Sequence, residues 1–340
     1  MVSKKKNSGD KPEISVVIAT YNRGALLKRA LENLEKQTLP FESFEVIVVD
    51  DGSATPAEEV VGGHPRPYRF SLVRQNNGGA AKARHNGISR CSGSIIVIVD
   101  DDMEITERFL EQHLKAHSRG ADVVLGRIVQ SSDFSTMPLH NRFQQHQFNR
   151  AFEKRKPGDT ISGAGLYTGN VSFKRELYDR VGGFDLNLKQ NEDRELGIRF
   201  EKAGAKFAFA SEAVTANGSD HTDFNRWMEE SRRYGVLDMQ ISKKHQDVAS
   251  ADPIHFLFRV NPLSVPVLST VMLVPSLAPV LSRTVMKVSS IVDELHLERL
   301  ALAGTTLAYG IQYYRGVRDE AGSTKEVLKN CYRYLKKRKV

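Results

Sequence analysis

Residues 95–103 read IIVIVDDDM: five apolar, mostly β-branched residues that stop abruptly in three carboxylates, Asp100, Asp101 and Asp102. Such a run predicts a strand buried on both faces. In an extended chain successive side chains alternate, which sets Asp100 and Asp102 on one side and Asp101 on the other. Two carboxylates about 4 Å apart repel by roughly 4 kcal/mol at an effective dielectric near 20, so acids clustered at the mouth of a core strand call for a compensating cation. Mg2+ or Mn2+ suits best, because these ions take oxygen ligands and keep positions open for waters and substrate phosphates. The chemistry expected is a metal-bridged diphosphate site. An acidic loop facing water is the plain alternative, and the directness with which the acids follow a core strand counts against it.

The elements that would position this cluster follow from the same patterning. Residues 14–19 (ISVVIA) and 44–49 (FEVIVV) are two further core strands, the first breaking at TYNRG and the second at Asp50, Asp51, Gly52 and Ser53. Leu26, Leu27, Ala30, Leu31 and Leu34 have helical spacing, a short strand is expected near 70–73, and Gly78-Gly79 opens a helix running through Ile88. Strand, helix, strand, helix, strand predicts a mostly parallel sheet with crossover helices. Ligands bind beyond the carboxyl ends of such strands, so residues 20–22, Asp50 with Asp51, and Asp100 to Asp102 should converge on one crevice. Further on, 106–117 reads as a helix, 122–128 as a strand, 192–203 as a helix closed by Gly204, and 207–210 as a strand. The sequence has no GxGxxG or GxxxxGK, which disfavours a Rossmann dehydrogenase and a P-loop NTPase.

With 340 residues, 40% hydrophobic and 26% charged, the chain has material for one large domain and an appendage. Cys91 and Cys331 make no CxxC pair and no disulfide framework, which suits a reducing compartment and leaves zinc unexpected. Lys4, Lys5 and Lys6 precede NSGDKPE rather than an apolar segment, so residues 1–12 read as a basic, solvated tail and the expected location is cytoplasmic. The formal charge is +8, and from 281 to 340 twelve Lys and Arg stand against six Asp and Glu. No aromatic and basic stripe for nucleic-acid stacking stands out, so anionic lipid or plain solvation is the expected role of this basic end, and no nucleic-acid partner is expected.

Taken together, SVVIATYNR, VIVVDDGS, NNGGAAKARHNGI, IVIVDDDM, TGNVSFKRELYDRVGGFD and NEDRELGIRFEKAG, followed by a downstream His, resemble the nucleotide-sugar-dependent glycosyltransferases of family 2, with the GT-A fold. The resemblance implies an α/β GT-A domain over 13–235 and a mainly helical C-terminal extension over 236–340. By this resemblance Ala19, Tyr21 and Asp51 would hold the nucleoside, Asp51 by accepting from the base, while Lys82 and Arg84 would lie near the nucleotide phosphates. Asp100 and Asp102 form the family's DxD. Asp102 is then the direct metal ligand and Asp101 or Asp100 lies nearer the ribose, the triple Asp leaving the acting pair open. Asp193 matches the catalytic base of the family's ED motif, a carboxylate that takes a proton from the acceptor hydroxyl. His221 would complete the metal or diphosphate shell, and Asn170 would line the donor-sugar pocket. Asp51 in an Asp-Gly turn, and Glu192 with Asp193 at a helix N-terminus, also have plain structural explanations.

The activity this implies is an inverting, metal-dependent transfer of one sugar from a nucleotide-diphosphate donor, UDP-linked by expectation, to the hydroxyl of a glycan, lipid-linked or small-molecule acceptor. The QxxRW element of processive members is missing, since the corresponding stretch reads MEESRRYG, which favours transfer of a single sugar. The rival readings are a sugar nucleotidyltransferase, for which TYNRG is not the basic triphosphate loop required, and a non-catalytic nucleotide-sugar-binding protein. Residues 260–282 carry no charge over 23 positions, but Pro262, Pro266, Pro275 and Pro279 oppose a regular spanning helix. A spanning hairpin, an interfacial element at the inner face of the cell membrane, and a soluble cap or homodimer surface remain the alternatives for this stretch. Residues 295–314 read as an amphipathic helix.

Overall fold

The computed structural model describes residues 11–129, 136–153, 161–218, 223–258 and 260–337. They fall into two compact units, one within Met1–Ser131 and Phe148–Ser219, the other within Ser132–Gln147 and Asp220–Val340.

The first unit is built on an eight-stranded mixed sheet. Its first half is β1 (Ile14–Thr20), α1 (Gly24–Leu34), β2 (Phe44–Asp50), α2 (Ala57–Val61), β3 (Arg69–Arg74), α3 (Ala80–Ser89) and β4 (Ile95–Val99). Here β1, β2, β3 and β4 are all parallel, as the crossover pattern predicts. The apolar runs of β1, β2 and β4 are buried on both faces, whereas the edge strand β3 is only partly covered. Ile14, Val16 and Ile18 of β1 pack with Leu27, Leu31 and Leu34 of α1, while Val17 packs on the opposite face with Ala83 and Ile88 of α3.

The second half departs from a parallel sheet. It comprises β5 (Met103–Ile105), α4 (Phe109–Ser118), β6 (Val123–Val129), β7 (Asn170–Lys174), α6 (Arg175–Arg180), α7 (Glu192–Lys202) and β8 (Phe207–Asn217); α5 (Leu139–Glu153), between β6 and β7 in the chain, belongs through Gln147 to the second unit. The strand order is β3-β2-β1-β4-β7-β6-β8-β5, with β7 antiparallel to both β4 and β6, and β5 antiparallel to β8. Because β7 runs against β4, the start of one meets the end of the other: Asn170 pairs with Val99. The carboxyl ends of β1 and β2 are level, Thr20 opposite Asp50. The strand mouths that carry the acids therefore open at one edge of the sheet, the place where α/β sheets bind ligands.

The second unit is helical: α8 (Phe224–Lys244), α9 (Pro253–Leu257), α10 (Val265–Leu273), α11 (Ala278–Glu294), α12 (Glu298–Ala321) and α13 (Thr324–Lys337). α8 and α12 meet backbone to backbone at two glycines. A Cβ on Gly235 would strike the Tyr313 carbonyl oxygen, and one on Gly316 the Arg232 carbonyl oxygen. The uncharged stretch over 260–282 is broken as its prolines predict, with a 3-10 turn over Pro275–Leu277 between α10 and α11. Among the described residues no single helix is long and apolar enough to cross a membrane; Pro262–Leu273 and Pro275–Glu294 pass that test only as a pair bent by 113°.

Candidate active site

Two polar chains meet at the sheet edge. In the first, Thr20 at the end of β1 donates its hydroxyl to Asp101 Oδ2 at 2.7 Å, and Arg23 Nη1 donates to Asp101 Oδ1 at 3.3 Å and to Asp102 Oδ2 at 2.9 Å. In the second, Arg84 from α3 donates Nη2 to Asp100 Oδ1 at 2.6 Å and Nη1 to Glu192 Oε1 at 2.5 Å. Arg84 thus joins the turn after β4 to the first residue of α7, beside Asp193. Burial alone would lower the Arg84 pKa, but the charges of Asp100 and Glu192 outweigh it and hold the guanidinium cationic, shifting the pKa upward.

The two carboxylates expected to act on metal and acceptor are held in an unusual state. Asp102 is pushed up to about 7, first by burial and then by the charge of Asp100, with Arg23 opposing. Its second oxygen, Oδ1, is buried and has no hydrogen-bond partner among the described residues. Asp193 is also pushed up to about 7, by burial and then by the charge of Glu192, while the Arg194 amide donates to Asp193 Oδ1 at 2.7 Å and opposes the shift. Asp101 moves upward as well, through burial, with the Thr20 hydroxyl and Arg23 opposing. Perturbed carboxylates gathered in one place make this a candidate functional site.

A divalent ion fits this donor set. The unpartnered Asp102 oxygen wants positive charge, Asp100 lies beside it, and Mg2+ or Mn2+ needs one or two carboxylates when phosphates and waters complete its shell. Among the described residues no group of three or more His, Cys, Asp and Glu side chains is arranged to hold a metal by itself. His221 lies outside the described residues.

Asp51, Tyr21, Ala19 and Lys82 also belong to this unit. Tyr21 is 49% exposed and Ala19 half-buried, so both offer surface at the mouth of β1. Lys82 is exposed on α3. Asp51 is buried, and both of its carboxylate oxygens are engaged. Oδ1 accepts from the Gly78 amide at 2.9 Å and Gln75 Nε2 at 2.8 Å, and Oδ2 accepts from the Gly79 amide at 2.8 Å. Asp51 thereby shapes the loop that delivers α3. Its neighbour Asp50 accepts from the amides of Ser53 at 2.9 Å and Ala57 at 3.0 Å and fixes the turn after β2.

Asn170 is placed differently from the expectation. It is wholly buried: Nδ2 donates to the carbonyl oxygens of Ala213 at 2.9 Å and Arg127 at 3.2 Å, and Oδ1 lies 2.9 Å from His113 Nε2. Its amide pins β7 to β6 and β8, and no polar atom of it is left for a donor sugar. Arg84, expected near phosphates, commits both terminal nitrogens to Asp100 and Glu192 instead. Sequence reasoning gave Arg23 no role and read Glu192 only as an acid beside Asp193 at a helix N-terminus. The only sequence trace of Arg23 was its place in TYNRG, directly after a core strand.

A family model described as Glycosyl transferase family 2 matches residues 15–182. Validoxylamine A glucosyltransferase of Streptomyces hygroscopicus subsp. jinggangensis is 31% identical over 229 residues, a match covering 59% of this chain and 54% of that protein. Glycosyltransferase AglE of Haloferax volcanii is 24% identical, with 68% of this chain and 74% of that protein covered. The chain spans about half the length of the first of these relatives. Among solved structures, a mannosyltransferase from Pyrobaculum calidifontis in complex with GDP-Man and Mn2+ aligns with a TM-score of 0.61 at 20% identity, covering 90% of this chain and 86% of that one. TarS 1-349 of S. aureus in complex with UDP-GlcNAc aligns with a TM-score of 0.53 at 19% identity, covering 92% of both chains. At these identities the likeness establishes the fold, GT-A, and nothing finer.

Proposed function

We propose that this chain, whose residues 15–182 match the model of glycosyl transferase family 2, transfers one sugar from a nucleotide-diphosphate donor to an acceptor hydroxyl, with inversion at the anomeric carbon. The observation that supports this reading is the Asp100–Arg84–Glu192 bridge, which ties the carboxylate cluster after β4 to the head of α7, where Asp193 follows Glu192.

In this reading Asp102 and Asp100 hold Mn2+ or Mg2+, which when bound offsets the charge that develops on the departing diphosphate. Asp193 takes the proton of the attacking hydroxyl. A pKa near 7 suits that role, since a general base works best when its pKa lies close to the operating pH. A single base opposite the leaving group gives one displacement, hence inversion. Tyr21 and Ala19 flank the nucleoside, Asp51 holds the loop beneath it, and exposed Lys82 is available to the phosphates. UDP and GDP are both reasonable donor nucleotides, given UDP-GlcNAc and GDP-Man in the aligned structures. Acceptors named for relatives include validoxylamine A and poly(ribitol-phosphate), which supports a hydroxyl acceptor without fixing its size.

The test is release of nucleoside diphosphate from a panel of UDP- and GDP-sugars, with Mn2+ and with EDTA. Release from one donor that requires the metal supports the reading. Donor binding with no turnover across a broad acceptor panel would favour a nucleotide-sugar-binding protein instead.

A further inference from the structure

We propose that the helical unit docks on an anionic lipid bilayer through the bent α10–α11 segment, lying in the interface without crossing it. This goes beyond the transfer reaction and does not depend on it.

α11 buries one row, Ala278, Ser282, Met286 and Ser289, inside its own unit. A second apolar row on the same helix faces outward: Val280 is 67% exposed, Val288 55%, Ile291 58%, and Leu295 just beyond it 64%. In the turn and the preceding segment Leu263, Leu273 and Leu277 are exposed as well, at 84%, 50% and 42%. Scattered exposed apolar residues need no explanation, but a contiguous run of them marks an interaction surface.

Charge decides the occupant. Arg283 and Lys287 are exposed on α11 one turn apart, beside the apolar row. Of the acids nearby, Asp293 is paired with Arg142, Glu298 lies 3.9 Å from the same guanidinium, and Glu294 is exposed at the end of α11. α13 repeats the pattern in the same unit: Leu328, Tyr332 and Leu335 are 59%, 70% and 43% exposed, with Lys329, Arg333 and Lys336 exposed among them. An apolar row with Lys and Arg beside it is the signature of a helix lying at a membrane surface, its apolar side roughly 5–10 Å into the headgroup boundary. A second copy packed antiparallel about the middle of this row, between Arg283 and Lys287, would oppose these two cations. Anionic headgroups receive them instead, each basic contact tightening binding by roughly fivefold.

The experiment is co-sedimentation of the full chain with vesicles of phosphatidylcholine alone or mixed with phosphatidylglycerol, alongside its mass in solution by light scattering. The expected result is binding to the mixed vesicles, weakened by salt. The triple variant Val280→Asp, Val288→Asp, Ile291→Asp should lose it, and the pair Arg283→Gln, Lys287→Gln should weaken it by roughly twenty-five-fold. An unchanged melting temperature in these variants certifies the fold. Failure to bind either vesicle overturns the proposal, as does undiminished binding by the triple variant. So does a homodimer that the triple variant splits into monomers, which would assign the surface to a second copy.

Discussion

Arg84 donates Nη1 to Glu192 Oε1 at 2.5 Å, joining α3 to α7 across 108 positions of sequence. Both side chains are nearly buried, 9% and 7% exposed, and the other end of the same guanidinium holds Asp100. Removing one partner of a buried ion pair leaves an uncompensated charge, at a cost of about 3 to 5 kcal/mol. Arg84→Met should therefore lower stability by an amount of this order in urea unfolding. Arg84→Lys should fold better and still lose turnover, because one ammonium cannot serve both acids in fork geometry. Full activity in Arg84→Lys would show that the bridge does not position the site.

Asp193 gives a pH prediction. Its folded pKa is pushed up to about 7, and a base must be deprotonated to act. The transfer rate should fall about tenfold per unit as pH drops below 7 and level off above it. A rate profile flat between pH 5 and 8, as an ordinary exposed carboxylate would give, contradicts the assignment.

His113 predicts acid sensitivity in the fold itself. It is fully buried between Asn170 and Ser172, and burial pushes its pKa down to about 3, with the Asn170 hydrogen bond opposing. The folded state keeps it neutral while the unfolded chain protonates it near 6.5, so stability is complete above 6.5 and is lost progressively as pH falls toward 3. From pH 7.5 to 5.5 this one group should remove about 1.4 kcal/mol. His113→Gln should reduce that pH dependence by the same amount, as read from urea midpoints; an unchanged dependence would assign it to other groups.

The glycine crossing of α8 and α12 should resist any side chain. A Cβ at Gly316 meets a carbonyl oxygen of the facing helix, and backbone cannot yield as a flexible side chain does. Gly316→Ala should cost about 1–3 kcal/mol and lower the melting temperature, although alanine is the better helix former. A stabilised variant would show that the two backbones do not lie in contact.

How much of this was legible in the sequence depends on the kind of element. β1, β2 and β4 are near-continuous apolar runs, so they and the acids at their mouths could be read directly. β7 was hidden in GAGLYTGNVSF, where glycines mask the strand, and β5 has three residues, too few for a pattern. β8 runs to Asn217, well past its apolar start, because pairing with β6 and then β5 holds its polar half in the sheet. Asn170 looked like a loop residue facing a ligand, and only the antiparallel register of β7 buries it. The Arg84–Glu192 pair lay beyond reach, since nothing in one sequence links residues 108 positions apart.

The account is tested most directly by Asp193→Asn, measured for donor binding by calorimetry with Mn2+ and for sugar transfer in the same preparation. The substitution keeps shape and hydrogen bonding and removes only the proton acceptor. The account predicts donor affinity within a few-fold of the parent and transfer reduced by about 10² or more, in line with loss of a general base. Transfer at the parent rate, or loss of donor binding equal to the loss of transfer, would contradict it.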